Sequence, residues 1–296
     1  ISFFDGRGGP PARGGGNTHQ FYASLGEKIA SNNIELTVQG QTISSNFGTL
    51  DSSQFNLEQL LSSGFQNNVL ESNKTNFSIK ERRTFEKIAN ISYKKYLDLK
   101  EHPKFTGYLE NMTTLKYYSQ TNIGSRPSSR SKSKKLNFED LRAIPFVGSW
   151  SQSKQNIPGF YGVGTALNYF KKNNDFEMVK SLYNNSLFFK TLIANSMMSL
   201  SKTFFGLTNY IAEDKEYSSF WKMLHSEFLL TKKMLLELSG QNVLMEDQPA
   251  GKKSIDLREE IVLPLLTIQQ FALMKIRKKG TNFDEKVYEK LILRSL

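Results

Sequence analysis

The sequence predicts an α-rich α/β fold, with a few short strands near the N-terminal end followed by many amphipathic helices. The chain has 296 residues, enough to bury a sizeable core. Hydrophobic residues make up 38% of it and 22 residues are phenylalanine, which argues against general disorder. After Gly164 the apolar residues recur at the three- and four-residue spacing of helices.

Four short segments have features of strands. Ile1–Phe4 is typical of the end of a buried strand, and Ile34–Val38 alternates apolar and polar residues up to a turn. Gln41–Phe47 could extend that strand or pair with it as a hairpin. Ile144–Trp150 is apolar and bounded by turn formers, which predicts another buried strand with its proline at the start or edge. Strands that lead into polar loops are how barrel and open α/β enzymes build their sites.

Helical periodicity covers most of the remaining chain. From about Ser52 to Lys100 there are two apolar stripes, and the capping-box candidate Ser78-Ile-Lys-Glu81 precedes the second. No apolar stretch reaches the roughly 20 uninterrupted residues of a membrane span, so a soluble protein is expected. The clearest further helices are predicted over Phe176–Tyr183, Leu187–Ile211, Ser219–Leu238, Leu257–Lys279 and Phe283–Leu293.

Composition narrows the possible chemistry. The absence of cysteine excludes disulfides, thiolate nucleophiles and zinc-thiolate sites, and it fits a reducing compartment. The three histidines form no cluster with metal-ligand spacing. The net charge of +11 is compatible with a solvated basic surface, with nucleic-acid binding or with an anionic ligand. Composition leaves these alternatives open.

The glycine-rich opening, residues 1–19, carries Arg7 and Arg13 among glycines that include Gly8 and Gly9. Glycine lets backbone N–H groups approach an anion, and arginine adds a charged fork that grips phosphate or carboxylate at two points. Two such arginines could hold two anionic groups of one small molecule. The alternative is a flexible Arg-Gly-Gly tract that binds RNA or nothing.

Further arginines and one lysine stand in unusual surroundings. Arg126 begins the basic, serine-rich loop Gly124–Lys135, and Arg142 directly precedes an apolar segment, where a guanidinium needs an anion or a core salt bridge. Lys202 and Arg258 lie on apolar helices, Arg258 near a predicted helix start. Snorkelling or a helix-end position would explain both without a function.

The motifs, taken in order, resemble those of phosphoenolpyruvate carboxylases. The most specific are Phe4–His19, Asn122–Pro127 and Asp140–Pro145. The resemblance covers nearly the whole chain, and its remaining matches are Leu36–Gly40, Trp150–Gln152, Pro158–Gly162, Lys202, Asp256–Arg258, Pro264 and Gln269.

This resemblance implies the C-terminal part of a (β/α)8 TIM-type barrel with many additional helices, belonging to one catalytic domain over residues 1–296. It implies carboxylation of phosphoenolpyruvate with bicarbonate to oxaloacetate and inorganic phosphate, with Mg²⁺ or Mn²⁺. It also implies a cytoplasmic homotetramer, with no nucleic-acid or membrane partner. The helical region 165–296 would contain the site of an inhibitor, aspartate or malate.

The resemblance also assigns roles to individual residues. Arg7, with Gly8 and Gly9, and Arg142 would bind phosphoenolpyruvate and phosphate, and Arg126 would act at a carboxyphosphate stage. The resemblance further implies that Arg13, Lys202 and Arg258 bind the inhibitor. Arg13 would also serve catalysis.

Some positions depart from the family pattern. Asp5 stands where many members have histidine, and Lys154 where arginine is frequent. The family's general-base histidine and acidic metal ligands are expected upstream of Ile1, and its C-terminal tail beyond Leu296. We therefore expect this segment alone not to turn over phosphoenolpyruvate. The alternative is an RNA-binding or scaffold protein that uses the Arg-Gly-Gly and Ser/Lys loops, with salt-dependent RNA binding.

Overall fold

A computed structural model of the chain describes residues 18–24, 38, 41–65, 77–121, 141–278 and 284–296. Within these ranges the chain forms helices and turns and no β-strand, so the predicted predominance of helix is confirmed for them. The strand predicted at Ile1–Phe4 lies outside the described residues. Of the strand predicted at Ile34–Val38, only Val38 is described. None of the described helices is both long and apolar enough to cross a bilayer.

Twelve α-helices and three 3₁₀-helices are present in the described ranges. The 3₁₀-helices are Leu115–Gln120, Ile157–Gly159 and Phe205–Glu213. The α-helices are α1 (Thr18–Ala23), α2 (Gln41–Phe47), α3 (Leu50–Phe65), α4 (Ile79–Lys100), α5 (Phe105–Met112), α6 (Ala143–Gln152), α7 (Val163–Lys172), α8 (Phe176–Asn185), α9 (Leu187–Ser201), α10 (Ser218–Ser239), α11 (Pro249–Lys278) and α12 (Glu285–Ser295).

The chain divides into two compact units, Ile1–Lys87 with Phe170–Met198, and Ile88–Tyr169 with Ser199–Leu296. In the first unit the predicted capping box is confirmed at the start of α4. The Ser78 hydroxyl accepts a hydrogen bond from the Glu81 N–H at 3.2 Å, and the Glu81 carboxylate accepts one from the Ser78 N–H at 3.0 Å. These reciprocal bonds satisfy two backbone donors that a helix start would otherwise leave unpaired.

Two predicted strands are wrong. Gln41–Phe47 is helix α2, and Ile144–Trp150 lies within helix α6. A short apolar run such as Ile144–Trp150 has no periodicity that separates a buried strand from a buried helix. Pro145 falls in the first turn of α6, where an N–H has no intrahelical acceptor, so the proline is compatible with this helix.

Two helix boundaries in the structure differ from the predicted ones. The helix expected over Leu187–Ile211 ends at Ser201 and is followed by a turn and a 3₁₀-helix. The helix expected from Leu257 begins earlier, at Pro249, so Arg258 lies inside α11 and not near its start. Proline is favoured at a first helical position because its fixed φ suits the helix and it has no N–H to leave unpaired.

The core of the second unit is rich in aromatic residues and encloses hydrogen-bonded polar groups. The Tyr108 ring stacks on Trp150 and packs against Phe220, with centroid distances of 6.0 and 4.9 Å. The fully buried amide of Gln155 donates to the Tyr108 hydroxyl at 2.7 Å and to Thr208 Oγ1 at 3.1 Å. Because its N–H groups are satisfied, the amide can be buried without a large desolvation cost.

A carboxylate from α10 caps the N-terminus of α7. Glu227 is 5% exposed, and its Oε1 accepts hydrogen bonds from the N–H groups of Gly162 and Thr165 at 3.2 and 3.0 Å. Its Oε2 accepts from the Thr165 hydroxyl at 2.6 Å. A negative charge at this end of a helix also interacts favourably with the helix dipole. The two helices meet at Gly164, where an added Cβ would lie 2.5 Å from the backbone nitrogen of Thr231.

His225 gives the second unit a dependence on pH. Its ring lies 5.0 Å from Phe205, 4.9 Å from Trp221 and 6.1 Å from Phe228. Burial lowers the pKa of His225 below its ordinary value. As the pH falls below about 6.5, the unfolded chain takes up the proton first, so the folded state loses stability.

We therefore expect the urea midpoint to fall between pH 7.5 and pH 5.5, and His225→Phe to reduce that fall. Burial also lowers the pKa of His19 and His102, so part of the pH dependence should survive. Urea titrations of the two proteins at both pH values measure the difference. An unchanged fall in the variant would contradict the assignment.

Candidate anion-binding site

The loop that follows α6 has an unusual backbone. Lys154 and Asn156 both adopt left-handed conformations, with φ of 54° and 44°. This region costs a side-chain-bearing residue of order 1 kcal/mol, somewhat less for asparagine. The turn after α9 holds the loop in place. The N–H of Phe204 donates to the Lys154 carbonyl at 2.8 Å, and the Asn156 amide donates to the Lys202 carbonyl at 2.9 Å.

The ammonium group of Lys154 is buried against a carboxylate. Lys154 is 4% exposed, and its Nζ lies 2.5 Å from Oε1 of Glu259 on α11. Burying a lysine is costly unless the charge is paired, and Glu259 provides that pairing. The second oxygen, Oε2 of Glu259, is also buried and has no hydrogen-bond partner among the described residues.

Lys202 directly follows the end of α9 and is half-buried. Burial lowers the pKa of Lys202, and the positive charges of Arg258 and Lys154 lower it further. The Glu259 carboxylate acts in the opposite direction. Three basic side chains and one acidic side chain are therefore electrostatically coupled. We call Lys154, Lys202, Arg258 and Glu259 the cationic cluster.

Arg258 gives the cationic cluster an exposed member. It lies beside Glu259 on α11, and its side chain faces solvent. A guanidinium can bind a carboxylate through two parallel hydrogen bonds, and an ammonium adds a compact charge. Because basic groups outnumber the single carboxylate, the cluster is suited to a small anion with more than one negative charge.

Arg142 lies outside the cationic cluster as defined. It is the N-cap residue of α6 and is half-buried. Its Nε is buried without a hydrogen-bond partner in the part of the chain that the structure describes. An unpaired donor on a buried guanidinium is costly, and an anionic ligand would relieve that cost.

The structure thus places Lys202 where the charges of Arg258 and Lys154 act on it. The other residues singled out by sequence, Arg7, Gly8, Gly9, Arg13 and Arg126, lie outside the described residues. So do residues 1–17 and Gly124–Lys135, on which the RNA-binding alternative depends. The role of Glu259 was not predicted. Its partner Lys154 is 105 positions away, and no local pattern reveals so distant a pair.

Two matched motifs have structural explanations. The buried amide of Gln269 on α11 donates to Oε1 of Gln152 at 2.9 Å, which ties the end of α6 to α11. In Pro158–Gly162, Gly162 has a φ of 95°, and a Cβ there would lie 2.6 Å from the Ser92 carbonyl oxygen. Only glycine satisfies both conditions without strain.

The described residues contain no group of three or more His, Cys, Asp or Glu side chains that could hold a metal ion. Divalent cations such as Mg²⁺ prefer carboxylate and other oxygen ligands. The described part of the chain therefore does not fit the Mg²⁺ or Mn²⁺ that the resemblance implies.

The described residues define a helical protein with a cluster of basic side chains around one buried ion pair. Comparison with known proteins is more specific: the family model for phosphoenolpyruvate carboxylase matches residues 1–296. Two phosphoenolpyruvate carboxylases of Corynebacterium glutamicum are each 32% identical to the chain over 288 residues, covering 94% of the chain. The chain belongs to the phosphoenolpyruvate carboxylase family, and it spans 31% of the length of these curated relatives.

Proposed function

We propose that the whole protein carboxylates phosphoenolpyruvate with bicarbonate, giving oxaloacetate and inorganic phosphate. The observation that carries the proposal is the family match along all 296 residues. This chain would form the C-terminal part of a (β/α)8 barrel that carries many helices beyond those of the barrel itself. The predominance of helix in the described residues is consistent with those additional helices. A cytoplasmic homotetramer is part of the same proposal.

The chemistry requires several anions to meet. Bicarbonate attacks the phosphoryl group, and carboxyphosphate and the enolate of pyruvate form; carboxyphosphate then yields CO₂, which the enolate captures. Fixed guanidinium charges offset the repulsion between these species and hold them in attack geometry. We assign Arg142 to phosphoenolpyruvate and phosphate binding. Its buried Nε, which has no hydrogen-bond partner among the described residues, supports that role.

The remaining assignments rest on the resemblance. Arg7, with Gly8 and Gly9, would share the binding of phosphoenolpyruvate, and Arg126 would stabilise carboxyphosphate. Arg13 would serve catalysis and inhibitor binding. Mg²⁺ or Mn²⁺ would be bound by residues outside this chain.

The reaction can be tested on the whole purified protein. Oxaloacetate is followed by its reduction with malate dehydrogenase and NADH, with Mg²⁺ present. The proposal predicts NADH oxidation that requires both phosphoenolpyruvate and bicarbonate, with one phosphate released for each oxaloacetate formed. Release of phosphate and pyruvate without oxaloacetate, or no consumption of phosphoenolpyruvate, would refute it.

We further propose that Lys202 and Arg258 bind a dicarboxylate inhibitor, aspartate or malate. The support is geometric and electrostatic. Lys202 is half-buried and feels the charge of the buried Lys154, and Arg258 offers a forked donor at the surface. A dicarboxylate carries two charges at a separation that two basic side chains can match.

Replacing Lys202 with methionine should weaken dicarboxylate binding by at least about tenfold. A hydrogen bond to a charged group is worth about 1.5–3 kcal/mol, which corresponds to roughly 10- to 150-fold in affinity. Calorimetric titration of aspartate and malate into the whole protein measures the change. Lys232→Met removes an exposed lysine on α10 and should leave the Kd unchanged. Equal affinity of Lys202→Met and the parent protein would exclude this residue from the site.

A further inference from the structure

Glu259 is the acidic member of the cationic cluster, which also contains the two basic residues assigned to the inhibitor. Its side chain is 21% exposed, whereas that of its partner Lys154 is 6% exposed. The neighbouring residue on α11 is Arg258, one of the two residues assigned to the inhibitor. Glu259 thus pairs with a buried lysine and directly follows an exposed arginine in the sequence of α11.

The pairing fixes Lys154 against α11. The Lys154–Glu259 contact of 2.5 Å joins the loop after α6 to α11. That loop is also hydrogen-bonded to the turn that carries Lys202, through the Phe204 N–H and the Asn156 amide. The loop, the turn and α11 therefore contribute the four members of the cationic cluster and are held together partly by this ion pair.

We propose that Glu259 is an internal counter-anion that sets the affinity of the inhibitor site by neutralising Lys154 and repelling an incoming dicarboxylate. This inference rests on the proposed dicarboxylate site. At short range and low dielectric, a like charge acts strongly on an anionic ligand. Because the Glu259 carboxylate is paired with Lys154, the ligand gains little from Lys154 and is repelled by the carboxylate.

The first test is Glu259→Gln in the whole protein, with aspartate and malate titrated by calorimetry. The substitution keeps the size of the side chain and removes its charge, so the Kd should fall by about fivefold or more. Adding KCl should weaken binding more steeply in the variant, because its site has one more uncompensated positive charge. A Kd equal to or above that of the parent protein would overturn the inference.

A second comparison uses two variants that lack the buried lysine, Lys154→Met and the double variant Lys154→Met with Glu259→Met. It keeps the inference testable if Glu259→Gln does not fold. Lys154→Met leaves Glu259 without its counter-charge and should weaken binding by about fivefold or more. Adding Glu259→Met to Lys154→Met replaces the pair with apolar side chains and should restore the Kd to within about threefold of the parent value. If the double variant binds as weakly as Lys154→Met, the Glu259 charge does not act on the ligand.

The results of these titrations distinguish a failure of the Glu259 role from a failure of the dicarboxylate site itself. If the parent protein binds neither aspartate nor malate, the dicarboxylate site and the role of Glu259 are both refuted. If the parent binds but either comparison, made on folded variants, lacks the expected tightening, the site stands and the inference fails. Tightening in both comparisons supports the counter-anion role.

Discussion

Replacing Arg142 with glutamine should lower kcat/KM for phosphoenolpyruvate in the whole protein by about 10²- to 10³-fold. Removal of one fixed donor from a developing anion typically costs this much. The guanidinium of Arg142 is half-buried, with its Nε unpaired among the described residues, so its proposed role is to bind the phosphoryl group. Steady-state measurement of oxaloacetate formation at saturating bicarbonate gives the ratio.

Two further variants make this test specific. Arg142→Lys keeps the charge but loses the planar fork, and we expect it to recover only part of the activity. Arg83→Gln removes an exposed arginine from α4 and should leave kcat/KM unchanged. Near-parental activity of Arg142→Gln would remove this residue from the phosphoenolpyruvate site.

Replacing Glu227 with alanine should lower the free energy of unfolding by about 2–4 kcal/mol. The substitution leaves the N–H groups of Gly162 and Thr165 without their acceptor, and each buried donor left unpaired costs about 1–3 kcal/mol. It also removes the negative charge at the start of α7. Chemical denaturation of the whole protein, followed by far-UV circular dichroism, measures the loss.

Glu227→Gln keeps one acceptor oxygen, so we expect a smaller loss than for alanine. Lys233→Ala, at an exposed position on the same helix, should change the free energy by less than about 0.5 kcal/mol. If Glu227→Ala were as stable as Lys233→Ala, the carboxylate would not be an important cap of α7.

Long periodic segments were predictable from sequence, and short ones were not. Helices α8, α10 and α12 follow their apolar spacing to within two residues at each end, because 3.6-residue periodicity over more than two turns has no strand equivalent. Ile144–Trp150 has seven residues and too few turns to show a period, so its assignment as a strand was wrong. The end of α9 at Ser201 depends on hydrogen bonds to the distant loop at Lys154 and Asn156, which no local pattern contains.

The candidate site was predictable only in part. From residues alone, Lys202 and Arg258 could be explained as snorkelling or helix-end side chains, and the family resemblance was needed to link them. The structure places them in one electrostatic environment with Lys154. Glu259 could not be found from sequence, because acidic residues next to basic ones are common on exposed helix faces. Its importance depends on the burial of its partner.

The most direct test of the proposed carboxylation follows the oxygen atoms of bicarbonate. If a bicarbonate oxygen attacks the phosphoryl group, [¹⁸O]bicarbonate should leave one labelled oxygen in each molecule of inorganic phosphate. The other two should appear in the new carboxylate of oxaloacetate. Mass spectrometry of the phosphate formed in early turnover by the whole protein measures the label. Phosphate that carries no bicarbonate oxygen, or that takes its label from H₂¹⁸O, would contradict the proposed reaction.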